Sequence, residues 1–297
     1  MPDELPPGRG FRSESGIESQ VALLDADATA AGQAAALAVI AADARTRDDA
    51  VPRGRRPFRV DVLPARLSFE QAWELRVDTD DRPLWALVGV GGDELAAHGP
   101  ELRSGARSFV VAGPPRSGRS TVLLTMARSL LAAGTSLVVA TPRPSPLRDL
   151  EGVAGVRAVF TGSDIPAIEL VAALESAGGP CVVLIDDAEL LRECDAADVL
   201  RSVMRSGDDR PQGLVIAGGA DDICTGFSGW QIDVKKSRQG ALLSPQGTTD
   251  GDLIGVRLPR SIVGGPVVPG RALLHLGDTV LHTVQVPFTV ASAMTVG

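Results

Sequence analysis

Residues 110–131 read VVAGPPRSGRSTVLLTMARSLL. Within them, Gly113–Ser120 (G-P-P-R-S-G-R-S) satisfies every fixed position of the phosphate-binding pattern G-x-x-x-x-G-K-[ST] except the lysine, where Arg119 stands. An apolar strand enters this loop and a helical run leaves it, which is the context the pattern needs. The glycines let backbone N–H groups turn inward around an anion, and the helix N-terminus aims partial positive charge at the same point. Gly113, Pro114, Pro115, Arg116, Ser117, Gly118, Arg119, Ser120 and Thr121 are therefore the candidate nucleotide-binding residues. Ser120 is placed to ligate Mg²⁺ and Thr121 adds a second hydroxyl. Arg116 is either a further phosphate contact or a solvent-facing side chain.

Around the loop the sequence alternates. The strand-like runs are SFVVAG (108–113), SLVVAT (136–141), VRAVF (156–160), CVVLIDD (181–187) and GLVIAGG (213–219), with helical stretches over 119–133, 164–177 and 195–206. Near-continuous apolar runs mean strands covered on both faces. Their alternation with helices predicts a parallel sheet in an α/β layer fold. CVVLIDD supplies the acid such a loop needs. Asp186 ends an apolar strand and holds the metal or its waters, and Asp187 follows it. GLVIAGG should end beside the terminal phosphate, but Gly218 and Gly219 offer no polar side chain there.

Composition narrows the function classes. The 297 residues are 44% apolar and 22% charged, which is globular composition, with a net charge of -8. That balance speaks against a broad duplex-DNA footprint. No Tyr and 3% aromatics leave no stacking platform for single strands. The basic run Arg53, Arg55, Arg56 and Arg59 reads as a solvated linker. Cys181, Cys194 and Cys224 lack metal-ligand spacing and read as reduced thiols, Cys181 in the core; His98, His275 and His282 form no cluster with them. The apolar stretch 35–43 is too short to span a membrane. Trp73, Trp85 and Trp230 read as packing residues.

The two ends of the chain echo each other. PGRGFRSESGIESQVAL (7–23) and PGRALLHLGDTVLHTVQV (269–286) each hold P-G-R, a Gly-containing turn (Gly16, Gly277) and a strand ending in Q-V. Residues 1–28 thus read as the hairpin tail of a preceding module, 29–57 as an Ala-rich helix and linker, and 58–297 as the next whole module. FRVDVLP (58–64) alternates like a half-buried strand, Ser68 caps a short helix to about Leu75, and PLWALVGVG (83–91) is a further strand. Residues 229–297 are Gly/Pro-punctuated and β-rich.

From about residue 58 to 286 the chain resembles the FtsK/SpoIIIE-type ATPase domain, and most of all the downstream ATPase modules of EccC-type proteins of type VII secretion. The matching text is ALVGVGGDEL, FVVAGPPRSGRSTVLLTMARSLL, VVLIDDAELL, LVIAG and the late GALLSPQGTTDGDLIGVRLPR…VPGRALLHLGDTVLHTVQVP. The late stretch discriminates best, because a generic phosphate-loop protein has no reason to contain it. The resemblance implies a RecA-like P-loop NTPase core, its parallel sheet flanked by helices, with β-rich N- and C-terminal additions. It implies ATP and Mg²⁺ as cofactors, Ser120 and Asp186 on the metal side, and Asp187 where the catalytic Glu of such motors stands. It further implies neighbouring ATPase modules of one parent, a secreted helical substrate, a hexameric parent, and a cytosolic segment of a membrane-anchored protein without membrane contact of its own.

Three departures coincide: Arg119 for Lys, Asp187 for Glu, and no polar group at Gly218/Gly219. Arginine keeps the charge, but a planar fork fits a tight phosphate cradle differently from an ammonium. Asp187 is one methylene short, and misplacing a base on that scale costs on the order of 100-fold in rate. The expectation is retained ATP binding with weak hydrolysis. The alternatives are an active FtsK-like DNA-translocating ATPase and an interaction module that binds no nucleotide. Arg238, Arg257 and Arg260 are either contacts to a neighbouring module's nucleotide or solvated surface.

Overall fold

The computed structural model describes residues 8–11, 16–48, 60–77, 82–103, 107–206, 210–226 and 228–290. The chain divides into two units, Met1–Arg59 and Val60–Gly297. In the first, β1 (Arg9–Phe11) pairs antiparallel with β2 (Glu18–Gln20), and α1 spans Ala30–Asp48. The basic linker at 51–57 lies outside the described residues. Among those residues no helix is long and apolar enough to cross a membrane.

The second unit is built on one ten-stranded sheet. Its strands are β3 (Gly89–Gly91), β4 (Ala96–His98), β5 (Ser108–Ala112), β6 (Ser136–Ala140), β7 (Val156–Phe160), β8 (Cys181–Ile185), β9 (Gln212–Gly218), β10 (Gln239–Leu243), β11 (Arg271–Leu276) and β12 (Leu281–Gln285). They lie in the order β4-β3-β12-β11-β10-β5-β9-β8-β6-β7. The six from β10 to β7 run parallel; β11, β12, β3 and β4 extend the sheet antiparallel. The late β-rich stretch is therefore a continuation of the core sheet, joined through β10 against β5.

The apolar runs explain the layering. β5, β6 and β8 are buried at every position, so alternate side chains feed two cores on opposite faces. One face packs Phe109, Val111, Val182 and Leu184 under α3 (Arg119–Ala132). The other packs Val110, Ile185 and Ile216 against α4 (Ala167–Ser176) and α5 (Ala197–Arg205), and against Trp230, which begins α6 (Trp230–Val234). Among the parallel strands, β7 at the sheet edge is the half-buried one.

Ser68 caps α2 (Phe69–Glu74) through a capping box in which the Gln71 side chain accepts from the Ser68 N–H. Two strand expectations fail. Residues 60–64 form no strand: Val60 is 72% and Val62 90% exposed, and the Asp61 N–H instead donates to the Asp93 carbonyl. Alternation marks a strand only when a sheet edge is there to receive it. Likewise, only Gly89–Gly91 of PLWALVGVG are strand; Trp85 makes an isolated bridge with Glu101.

Candidate functional site

Every parallel strand points its C-terminal end at the same edge of the sheet, where loops converge and ligands bind in open α/β folds. β5 delivers the chain to Gly113 there. The Gly113 N–H donates to the Gly218 carbonyl, tying the loop to the end of β9. A Cβ on Gly113 would lie 2.6 Å from both the Leu243 carbonyl oxygen and Ser117 Oγ, so only glycine fits. Gly118 turns at φ +105° and no side chain caps α3. The first-turn N–H groups of α3 therefore face the loop's interior without an intrahelical partner. Ser117 Oγ is buried without a hydrogen-bond partner.

The strand-end acids sit on the other side. Asp186 Oδ2 accepts from Ser120 Oγ at 2.7 Å and from Ser145 Oγ at 2.7 Å. Ser120 and Asp186 are thus in direct contact across 66 residues of sequence. Asp187 takes a left-handed backbone (φ 49°), and its Oδ1 accepts from Arg119 Nη2 at 2.9 Å. The two side chains are 12% and 13% exposed. Arg119 also donates to the Gly113 carbonyl, and Arg143 stands 3.9 Å from Asp187. Burial first, then the Asp186 charge, pushes the Asp187 carboxyl above its ordinary value, opposed by Arg119 and Arg143.

The residues expected to hold phosphate are thus brought together, with one consequence that one-dimensional reading does not reveal. The loop's cation and the second strand-end acid neutralise each other. Pro114 borders the site half-buried; Pro115 and Arg116 are exposed, Arg116 at φ 65°. Arg238, Arg257 and Arg260 are exposed. Cys181, Cys194 and Cys224 are free and buried, and burial raises the Cys181 and Cys224 thiols to about 12. Among the described residues no group of three or more His, Cys, Asp or Glu side chains is placed to hold a metal ion.

Sequence reasoning missed Arg143, Ser145 and Glu189. The first two lie in TPRPSP, just past β6, and the position of that loop at the converging strand ends is their only signal. Glu189 lies in a short 3-10 helix, Ala188–Leu191. A hollow of about 600 Å³ opens beside the loop, between Arg116, Ser117 and Thr121 on one side and Val267, Val268 and Phe288 on the other. Arg66 stacks over the Phe288 ring at its rim, 5.3 Å from the centroid.

This fold recurs in solved structures. Over 97% of its length the chain is similar to EssC from Geobacillus thermodenitrificans (ATPases 2 and 3), with a TM-score of 0.63 and 16% identity. The chain has the fold of type VII secretion ATPase domains. Its similarity to the cytoplasmic domain of the Thermomonospora curvata type VII secretion ATPase EccC has a TM-score of 0.61 at 16% identity, over 96% of the chain. For EccC ATPases 2 and 3 from the same organism, in complex with a signal sequence peptide, the TM-score is 0.57 at 16% identity, again over 96%. The chain spans 57%, 35% and 54% of these three proteins' lengths. No family model matches the chain, and no curated protein matches it in sequence.

Proposed function

We propose that the chain is an ATP-binding, hydrolysis-poor module of a type VII secretion ATPase. One constellation carries this reading: Asp186 bonded to Ser120 at the mouth of the loop, with Asp187 bonded to Arg119. The loop N–H groups and Ser117 would hold the phosphates, Ser120 and Asp186 the Mg²⁺. The hollow beside Thr121 would take the base, whose flat apolar faces suit Val267 and Val268. Bound Mg²⁺ would neutralise charge on the phosphates. Asp187, tied to a cation and short by a methylene, is poorly placed to take a proton from water. Such a module serves regulation and docking rather than turnover. It would work in the cytosol beside like ATPase modules of an oligomeric parent, and would receive a peptide signal as the Thermomonospora curvata protein does in its complex.

The test is calorimetric titration with Mg-ATP together with phosphate release. Binding with release near background is expected, and duplex DNA at low salt should not change it. Robust or DNA-stimulated release would overturn the hydrolysis-poor reading. A second reading, an interaction module without nucleotide, is favoured by the Arg119–Asp187 pair, which has to open before Arg119 can reach a phosphate. It predicts that Mg-ATP leaves the melting temperature unchanged.

A further inference from the structure

Gly218 ends β9, the strand between the phosphate-loop strand β5 and the acid-bearing strand β8, and its carbonyl holds the Gly113 N–H. A side chain is missing at this central position, yet the space is filled. A Cβ on Gly218 would overlap Glu189 Oε2, which has come across from the short helix after Asp187. That oxygen is buried and has no hydrogen-bond partner. Its electrostatic neighbours are those of the site itself: Asp187, Arg119 and Arg143. Such an atom keeps an unmet need for a donor, and leaving a buried acceptor unmet is costly. Native structures retain such groups where a ligand or water completes them.

Resting on the nucleotide-binding reading above, we propose that Glu189 is the carboxylate facing the terminal phosphate, seated in the slot that Gly218 leaves open. Glycine at 218 is then a fitted pair with Glu189 rather than a lost polar group. A carboxylate and a phosphate only accept hydrogen bonds, so a water donating one O–H to each is the bridge chemistry allows between them. Glu189 would be a positioning residue for that water. Asp187 cannot share the task while it is bonded to Arg119 at 2.9 Å. The carboxylate is also a like charge set against the extra phosphate of ATP, so it discriminates triphosphate from diphosphate.

The test compares Mg-ATP and Mg-ADP affinities of the full chain by titration. Glu189→Gln keeps shape and removes charge; it should tighten Mg-ATP by on the order of ten-fold, the scale of one like charge a few ångströms away. Mg-ADP should be unaffected. Gly218→Ala, which evicts the carboxylate from the slot, should change the ATP/ADP ratio in the same direction, and the double variant should add nothing to Glu189→Gln. Equal changes for both nucleotides, or no change for either, would overturn the inference while leaving nucleotide binding intact. A wild-type chain that binds neither nucleotide would overturn both.

Discussion

Replacing Arg119 with Ala removes the one cation within hydrogen-bond distance of Asp187 among the described residues. Asp187 then lies buried beside Asp186, with Arg143 3.9 Å away and 57% exposed. Breaking a buried pair by deleting one partner costs about 3–5 kcal/mol, because the survivor stays in a poorly solvated place. Arg143 and the slight exposure of the pair reduce this to about 2 kcal/mol, or roughly 4–8 °C in melting temperature for a unit of this size. The sign of the pH dependence follows from Asp187, whose carboxyl burial holds above its ordinary 3.8. A carboxyl raised on folding contributes stability that is full below its unfolded value and is lost as pH rises through its folded value. Without Arg119 the folded value rises further, so the deficit against wild type should be larger at pH 7.5 than at pH 5. Adding Asp187→Asn should recover most of it, since the stranded charge is gone. Thermal denaturation with a chelator present, at both pH values, compares the wild type with both variants. Equal deficits at the two pH values, or a double variant less stable than the single, would refute the claim that charge pairing holds this corner together.

Ser120→Ala and Asp186→Asn should each abolish the dependence of ATP binding on Mg²⁺ while leaving the fold intact, as read by titration with and without the metal. Arg119→Lys combined with Asp187→Glu should raise phosphate release by on the order of 100-fold, the factor set by placing a base correctly; unchanged release would mean that other residues limit turnover. Val268→Glu, placing an anion in the hollow, should weaken Mg-ATP at least ten-fold by charge repulsion while sparing inorganic pyrophosphate, which has no base to seat. Trp230 is fully buried and its Nε1–H donates to the Leu191 carbonyl at 3.0 Å, at the end of the helix carrying Glu189. Trp230→Phe should therefore cost about 1–2 kcal/mol in chemical denaturation.

Five of the six parallel strands were legible, because continuous apolar runs such as CVVLI and FVV can be buried only between two layers; β10, inside the β-rich tail, was not read as one of them. The turn of the loop at 113–120 was legible because Gly113 and Gly118 occupy positions that close packing and left-handed backbone reserve for glycine. Both are local properties, written in consecutive residues. Residues 60–64 misled because alternation is also local, whereas a strand needs a partner that the chain supplies only in three dimensions.

The site's balance of charge was not legible for the same reason. Sequence spacing identifies Arg119 and Asp187 as a cation and an acid, but not that they spend themselves on each other. Nor does it reveal that Ser145 joins Ser120 on Asp186, or that Glu189 fills the space above Gly218. Local patterning specified most of the elements and which residues are candidates for the chemistry. Only folding decided their pairing, because charges far apart in the chain meet through the order in which β5, β9, β8 and β6 are laid side by side.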